Sequence, residues 1–461
     1  MSLPPALLHA VTHEGGGGVV LVIGAGASFE APTDLPLSRA LASEAHRQLI
    51  ADGILVDGNC ADPEDLSCVA DAVVEVTGDQ AALVERLPVS RFRSAEPNAG
   101  CLMAACLLRE RAVACVMTLN FDLGMSTALT RLGARDDVGV VSGPDEHHRL
   151  RLVNLIYLHR NVSAAADAWI LRSSSLATEW RDRWEEVIAT RVMAAPVTVF
   201  AGLGSVAAVL LETIGRIRKA VPDGTLVFQV DPGSREDSEF FAELALPDDA
   251  YLQIGWCRFA TELGARLLEE HRHELDLACR KLITEAGWED ADPGDLCQRL
   301  SDLGLIGLGE VRARWTLDPA PYAPRHSVAV DLVADLLLAV GFVERAVDGH
   351  AIFDPDGIVE LRRGNEILGS ITVASGRGTK RWDAIEAEIG RHRHRRRRRV
   401  ESPRFALVSG VEGSKPLQVA PPSNIVLEDS TASIIDGDTT LRIVSVEELR
   451  ASPNIAQEMV A

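Results

Sequence analysis

Residues that could contact a nucleotide follow a short apolar segment near the amino terminus. Gly24-Ala25-Gly26-Ala27-Ser28 comes at the end of the apolar run 19–24 and opens into a helix-like region. Glycine at such a turn lets the backbone approach a pyrophosphate, and a following helix N-terminus offers free N–H groups to an anion. The third glycine of the usual dinucleotide-binding motif is replaced by Phe29, and no acidic residue near Glu44 is convincingly placed for a ribose. The pattern therefore argues against an ordinary dehydrogenase.

Two further groups of polar residues end apolar runs of strand length. Asn120 and Asp122 follow the run 112–120, and side chains two apart at a strand end project to the same side. Such a pair can bind a carboxamide or sugar hydroxyls, while the alternative for either residue is a helix N-cap. His159 ends the run 152–159 and is a candidate general base, the alternative being a structural histidine.

Two later segments add candidate contacts to a phosphate or a ribose. Gly202-Leu203-Gly204-Ser205 lies between the apolar run 196–202 and the amphipathic segment 205–221. Asp231 ends the run 225–231, and a carboxylate at a strand end can accept hydrogen bonds from ribose hydroxyls.

The elements that must position these residues alternate through the first 270 residues. Helix-like segments over 37–50, 123–133 and 205–221 separate the apolar runs. Continuous apolar strands alternating with helices predict a parallel sheet covered on both faces, which is a doubly wound, Rossmann-like α/β fold. We therefore predict a first domain over residues 1–270.

The rest of the chain predicts a connector and a second α/β domain. Residues 271–326 are expected to be helical and then to form a Pro-rich linker over 316–326. The C-terminal domain, 327–461, is expected to contain a helix over 327–342, two strands within 357–375 around a turn at Arg363-Gly364-Asn365, and strands over 404–410 and 441–446.

Composition limits the class of protein. The 461 residues include 46 Lys+Arg and 67 Asp+Glu, which gives a net charge of −21, and 47% are hydrophobic, as in ordinary globular proteins. No two of the eight cysteines form a CxxC pair, so neither a zinc ribbon nor a thioredoxin-like site is expected. The start of the chain has no secretory-signal pattern, and Pro196 and Gly202 interrupt the uncharged stretch Val192–Leu211. We expect a reduced, cytoplasmic protein that does not span a membrane.

The order of the motifs resembles the catalytic core of the sirtuins. That core carries GAG-S at its first strand, Q-N-I-D at the nicotinamide pocket, a catalytic H-G, then G-T-S and a late strand that reaches the adenosine. The matching segments of this sequence, over residues ~15–270, are Gly24–Ser28, Leu119–Asp122, His159-Arg160, Gly202–Gly204 and the strand ending at Asp231.

Several departures bring the sequence closer to a subgroup. The paired CxxC motifs of the sirtuin zinc module are absent, Leu119 replaces the Gln, and Arg160 replaces the Gly after the His. The sequence is more similar to the sirtuin-like NADase domains of prokaryotic antiphage systems, which carry T-N-(Y/F)-D, K-L-H-G and G-(Y)-S. The Asp that these domains typically carry after the last motif is here Ala207 or Ala208.

This resemblance implies cleavage of the bond between nicotinamide and ribose in NAD⁺, with NAD⁺ as the substrate and no metal in this domain. It assigns Asn120 to orient the ribose and a water, Asp122 to hold the carboxamide, and His159 to act as the base. Ser28, with the amides around Gly24 and Gly26, would hold the pyrophosphate. The other residues that we expect to contact the dinucleotide are Ala25, Gly202, Gly204, Ser205 and Asp231.

The C-terminal domain resembles a degenerate PD-(D/E)XK endonuclease core in the order of its elements. Asp354 and Asp356 precede the strand pair, but 369–375 contains no E-x-K, so metal-dependent cleavage is not expected. The run 391–399 would suit a nucleic-acid backbone or an acidic partner protein, the alternative being a solvated charged face. Its arginines are Arg391, Arg393, Arg395, Arg396, Arg397, Arg398 and Arg399.

Three functions remain open at the level of sequence. The resemblance favours an antiphage effector that hydrolyses NAD⁺, acts as a homo-oligomer and works with a partner such as a HerA-type ATPase, a short Argonaute or a phage-protein sensor. The second is a catalytically inactive sensor or scaffold that binds NAD⁺ or ADP-ribose. The third is a nucleic-acid-binding or nuclease protein dominated by its C-terminal domain.

Overall fold

The computed structural model divides the chain into two compact units, 1–267 and 268–461. It describes residues 3–12, 18–172, 184–203, 214–215, 225–286, 288, 292–315, 330–355, 357–376, 405–410 and 442–460. The predicted linker 316–326, Asp356 and the arginine run 391–399 lie outside the described residues.

The first unit is built on a seven-stranded parallel sheet with the strand order β3-β4-β2-β1-β5-β6-β7. Its strands are β1 (Val19–Ile23), β2 (Cys115–Thr118), β3 (Gly139–Val141), β4 (Asn154–Tyr157), β5 (Val197–Ala201), β6 (Leu226–Asp231) and β7 (Tyr251–Gln253). The doubly wound α/β fold predicted from the alternating pattern is therefore confirmed. The sequence pattern missed β3 and β7, since three residues are too few for a periodic signal.

Helices alternate with these strands along the chain. They are α1 (Pro5–Thr12), α2 (Ser38–Ala51), α3 (Leu66–Thr77), α4 (Ala81–Val84), α5 (Val89–Arg93), α6 (Ala99–Arg109), α7 (Gly124–Arg131), α8 (Trp184–Met193), α9 (Glu239–Leu244) and α10 (Trp256–Ala286). The helices predicted over 37–50 and 123–133 are present as α2 and α7, whereas of the predicted 205–221 only residues 214–215 are described.

The central position of β1 explains why this strand could be predicted from a continuous apolar run in the sequence. All five residues of β1 are at most 1% exposed, because the strand has a neighbour on each side and is covered on both faces of the sheet. A strand in that position needs apolar side chains at every residue, so VVLVI lacks the alternation of a half-exposed strand.

The second unit contains a five-stranded mixed sheet with the order β12-β11-β10-β9-β8. Its strands are β8 (His350–Phe353), β9 (Ile358–Arg363), β10 (Glu366–Gly376), β11 (Phe405–Gly410) and β12 (Arg442–Ser445). Strands β8 to β10 pair antiparallel, whereas β11 and β12 continue the sheet in parallel. The predicted turn between β9 and β10 is present, and Gly364 has a φ of +59° there, a left-handed conformation that suits glycine.

Helices cover the second sheet. They are α11 (Pro293–Ser301), α12 (Gly304–Trp315), α13 (Val330–Ala346), α14 (Val446–Ala451) and α15 (Asn454–Glu458). One hydrophobic core joins Cys279 of α10, Leu296 of α11 and Trp315 of α12 to α13 and to the central strands. Among the residues that the structure describes, no helix combines the length and the apolarity needed to cross a bilayer.

Candidate functional site

The predicted site residues lie beyond the carboxyl ends of adjacent strands. The backbone N–H of Leu119 donates to Ile23 O at 3.0 Å, which joins the last residue of β1 to the residue that follows β2. On the other side of β1, Gly24 N–H donates to Ala201 O at 3.0 Å, which brings in the end of β5. In open parallel sheets this edge is where ligand-binding groups collect.

Ser28, Asn120 and Asp122 form one hydrogen-bonded network at this edge. Ser28 Oγ donates to Asp122 Oδ2 at 2.8 Å. Asn120 Nδ2 donates to Ser28 Oγ at 3.0 Å and to the backbone oxygen of Gly24 at 2.9 Å. Ser28 is 92 positions from Asn120 and 94 positions from Asp122 along the sequence, yet it contacts both. Two motifs that were identified separately therefore belong to a single cluster.

The carboxylate of Asp122 is buried and has a second partner. Its Oδ1 accepts the backbone N–H of Gly124 at 2.8 Å, so it satisfies one of the unpaired amides at the start of α7. Burial raises the pKa of Asp122, and the hydrogen bonds from Ser28 and Gly124 oppose that rise. Asp122 is not the N-cap of α7, since that position is Leu123, but its carboxylate contacts both Ser28 and the first amide of the helix.

His159 lies beyond the end of β4 beside an aromatic wall. Phe121 stacks on Trp169 with ring centroids 4.5 Å apart and planes 10° apart, and its ring centroid is 6.4 Å from that of His159. Gln80 Nε2 donates to the backbone oxygen of Trp169 at 2.7 Å, which holds this wall in place. Burial, and secondarily the charge of Arg160, lowers the pKa of His159 to about 4. The imidazole is therefore neutral at pH 7 and able to accept a proton or a hydrogen bond.

Arg160 occupies a backbone conformation that disfavours a side chain. Its φ is +71°, in the left-handed region that glycine adopts without strain. The guanidinium carbon lies 6.0 Å from the centre of the Trp184 ring, within range of a cation–π contact. The departure from the H-G motif thus adds both strain and positive charge next to His159.

Arg160→Gly is expected to raise the pKa of His159, because it removes the cation that disfavours imidazolium. The pKa should stay below 6.5, since burial is the larger cause of its depression. Titration of the His159 ring by NMR measures the change, and Arg160→Lys, which keeps the charge, is the matched control. A His159 pKa that is equal in the glycine and lysine variants would contradict this assignment.

Glycines in the two loops beside β1 allow close backbone contact. A Cβ added to Gly26 would lie 2.7 Å from the Cα of Gly202, and one added to Gly24 would lie 2.7 Å from the oxygen of Gly202. Gly26 N–H also donates to Gly202 O at 2.9 Å. The N–H groups of Gly24 and Gly26 are therefore used in hydrogen bonds to the end of β5 and to the loop that follows it.

Gly202→Ala is expected to lower the free energy of unfolding by about 3 kcal/mol. The φ of Gly202 is +65°, and a Cβ would lie 2.7 Å from the carbonyl carbon of Gly26, so conformational strain and overlap both contribute. Gly53→Ala is the matched control, because Gly53 has a φ of +70° with no heavy atom within 4 Å of the added Cβ. Urea unfolding should give the control a cost of about 1 kcal/mol, and equal costs would contradict the role of the contact.

Among the other predicted dinucleotide contacts, the structure describes Asp231 but not Gly204 or Ser205. Asp231 ends β6, and its Oδ1 accepts the N–H of Gly233 at 2.7 Å within its own turn. Gly204, Ser205 and the departure at Ala207 lie outside the described residues.

Sequence reasoning missed two residues that shape the site. Asn98 is fully buried, caps α6 and contacts the loop that carries Ser28, while Trp169 supports Phe121. An Asn before the apolar helix 99–109 is an ordinary N-cap signal, and it could have identified Asn98. Trp169 gave no periodic signal, since it lies outside the regular elements.

Among known proteins, the matches to this chain are solved structures. No family model and no curated protein matches this chain. A solved structure of a Sir2 homologue in complex with NAD is 16% identical, covers 58% of this chain and 96% of its own, and has a TM-score of 0.33. A Sir2 homologue mutant with ADP ribose is 17% identical and covers 58% of this chain and 97% of its own, with a TM-score of 0.33.

A third solved structure is described as a structural basis for the mechanism and regulation of Sir2 enzymes. It is 13% identical, covers 57% of this chain and 98% of its own, and has a TM-score of 0.32.

Proposed function

We propose that the first unit binds NAD⁺ and hydrolyses the bond between nicotinamide and ribose, releasing nicotinamide and ADP-ribose. The observation that supports this most directly is the contact of Ser28 with both Asn120 and Asp122. These residues come from the two motifs that the resemblance assigns to the pyrophosphate and to the nicotinamide ribose. They meet beyond β1 and β2, at the sheet edge where open parallel sheets bind ligands, which supports the proposal.

The proposed reaction breaks the bond between ribose C1′ and the pyridinium nitrogen, and the bonding electrons leave with nicotinamide. The ribose passes through an oxocarbenium-like state, water adds to C1′, and the proton of that water leaves to a base. Because the leaving group is already cationic, orientation and exclusion of bulk water matter more than a strong acid.

The geometry supports distinct roles for the side chains. Asn120 is fixed through its Nδ2 by Gly24 and Ser28, so we assign it to orient the ribose and the attacking water. Asp122 is assigned to the carboxamide. His159 is assigned as the acceptor for a ribose hydroxyl or that water, which its neutral imidazole suits at pH 7.

The pyrophosphate contact is assigned to Ser28 and the 24–28 loop. The N–H groups of Gly24 and Gly26 already donate within the protein. We therefore assign the backbone contacts to the pyrophosphate to other groups of this loop.

The experiment is nicotinamide release from NAD⁺ by the purified full chain, with NAD⁺ binding measured by calorimetry on the same sample. Release that depends on Asn120 is the expected result. A chain that neither binds NAD⁺ nor releases nicotinamide would overturn the proposal.

A second candidate is a sensor that binds NAD⁺ or ADP-ribose without turnover. The observation that favours it is Arg160, which adds positive charge beside His159 and lowers its pKa. A sensor would bind NAD⁺ in calorimetry and release no nicotinamide, and the same two measurements therefore separate the candidates.

For the biological setting we propose an effector of prokaryotic antiphage defence, on the basis of the motif resemblance. Homo-oligomerisation, a defence partner, and regulation or nucleic-acid contact through the C-terminal unit belong to this proposal. Loss of cellular NAD⁺ after phage infection, only in cells that carry an intact Asn120, is the result expected. NAD⁺ levels that do not respond to infection would contradict the defence role without affecting the proposed reaction.

A further inference from the structure

We propose that Asn98 is a positioning residue that holds the Ser28 loop, residues 24–33, in its reactive geometry. This inference rests on the proposed function and extends it to a residue beyond the motifs. Asn98 is 0% exposed and lies at the N-terminus of α6.

The side-chain amide of Asn98 connects α6 to the Ser28 loop. Its Oδ1 accepts the N–H of Cys101 at 2.9 Å, which caps the helix. Its Nδ2 donates to the backbone oxygen of Ala27 at 2.8 Å and to that of Glu30 at 3.3 Å. Ala27 and Glu30 flank Ser28 and Phe29, so one amide group forms hydrogen bonds to the loop on both sides of the serine.

A helix cap alone does not require asparagine. Ser, Thr or Asp at the same position would supply an oxygen to the first turn of α6. Among the common cap residues only asparagine also carries an NH₂ group, and here both contacts of that group go to the loop. The residue type therefore matches the loop contact as well as the cap.

A second connection joins the same parts of the chain. The backbone N–H of Asn98 donates to Thr33 Oγ1 at 3.0 Å, and Thr33 Oγ1 donates to the oxygen of Glu96 at 2.7 Å. The far end of the loop is thus tied to the segment that enters α6. With the loop held at Ala27, Glu30 and Thr33, the hydroxyl of Ser28 lies within hydrogen-bond distance of Asp122 and Asn120.

The test uses the full chain with Asn98→Ser, which keeps a capping oxygen and removes the NH₂ group. We expect kcat/KM for nicotinamide release to fall about tenfold to a hundredfold, since small displacements of positioning groups have effects of that size. Asp65→Ser is the matched control, because Asp65 caps α3 through Ser67 N–H, and among the described residues its carboxylate bonds to Ser67 and Cys68 rather than to the Ser28 loop. It should leave kcat/KM unchanged.

A double-mutant cycle separates positioning from general destabilisation. If Asn98 acts through Ser28, adding Asn98→Ser to Ser28→Ala should change kcat/KM less than about twofold. An equal loss in the presence and absence of Ser28 would overturn the proposal. Should Asn98→Ser fail to fold, Asn98→Asp keeps both the shape and the cap and replaces the donor with an oxygen.

Hydrogen exchange of residues 24–33 without ligand provides an independent readout. Exchange should be faster in Asn98→Ser and unchanged in Asp65→Ser, and equal exchange in both variants would overturn the proposal. If the wild-type chain neither binds nor cleaves NAD⁺, the proposed function fails, and exchange still decides whether Asn98 holds the loop.

Discussion

Asn120→Ala is expected to reduce the rate of nicotinamide release by about 100- to 1,000-fold. The amide of Asn120 is held by Gly24 and by Ser28, so it is oriented before substrate arrives and undergoes no reorganisation during the reaction. Removing one such preorganised polar group from a transition state typically has an effect of this size. Chromatographic quantification of nicotinamide gives the rate.

Asn154→Ala is the matched control for this variant. Asn154 begins β4, at the opposite end of the strand from His159, and its amide bonds locally to Arg151. The control should retain the wild-type rate of release. An Asn120→Ala protein that releases nicotinamide at a rate within about threefold of the wild type would exclude the assigned role, since that loss is far below the expected one.

Acidification is expected to destabilise the first unit through His159. Its pKa in the folded protein is about 4, against an ordinary 6.5, so between these values the unfolded chain binds the proton and the folded chain resists it. The contribution of neutral His159 to the free energy of unfolding is therefore fully present above pH 6.5 and is lost as the pH decreases toward 4. The full difference corresponds to about 3 kcal/mol.

The buried carboxylate of Asp122 acts in the opposite direction. Its pKa is raised, so the folded state gains stability as the pH decreases through that pKa toward 3.8. A single pH profile therefore mixes both groups, whereas a comparison with His159→Gln isolates the histidine.

The measurement is urea unfolding of the wild type and His159→Gln at pH 7.5 and 4.5. Relative to the wild type, the free energy of unfolding of His159→Gln should be higher at pH 4.5 than at pH 7.5 by about 2 to 3 kcal/mol. His148→Gln, which removes an exposed histidine of the same unit, controls for the loss of one imidazole. A shift of equal size in both variants would contradict the role of burial at His159.

The parallel sheet and the edge that carries the site were predictable from sequence. Continuous apolar runs identified β1, β2 and β4, and the carboxyl ends of parallel strands meet at one edge, so Ser28, Asn120 and His159 were expected there. The hydrogen bond between Ser28 and Asp122 was not predictable, because it depends on loop conformations and side-chain orientations that no periodic pattern encodes.

The glycines show a different limit of sequence reasoning. Gly24 and Gly26 were predicted to let the backbone approach a pyrophosphate, which stays a prediction, and a glycine does not reveal which group of the protein approaches it. In the structure both glycines approach Gly202 in the loop after β5, and Gly24 also approaches Leu203. Asn98 was missed for a related reason, since the cap signal before α6 contains no information about the loop that its NH₂ group reaches.

The contact among Gly24, Gly26 and Gly202 has a consequence for the sequences that this fold tolerates. A larger side chain in a packed interior is usually accommodated by a smaller one opposite it. Here Gly26 and Gly202 face each other, and no smaller residue exists to compensate for an enlargement of either, whereas Gly24 also faces the side chain of Leu203. Variation introduced at Gly26 and Gly202 should therefore be rejected one position at a time, and libraries that redesign this part of the protein gain nothing from randomising the two together.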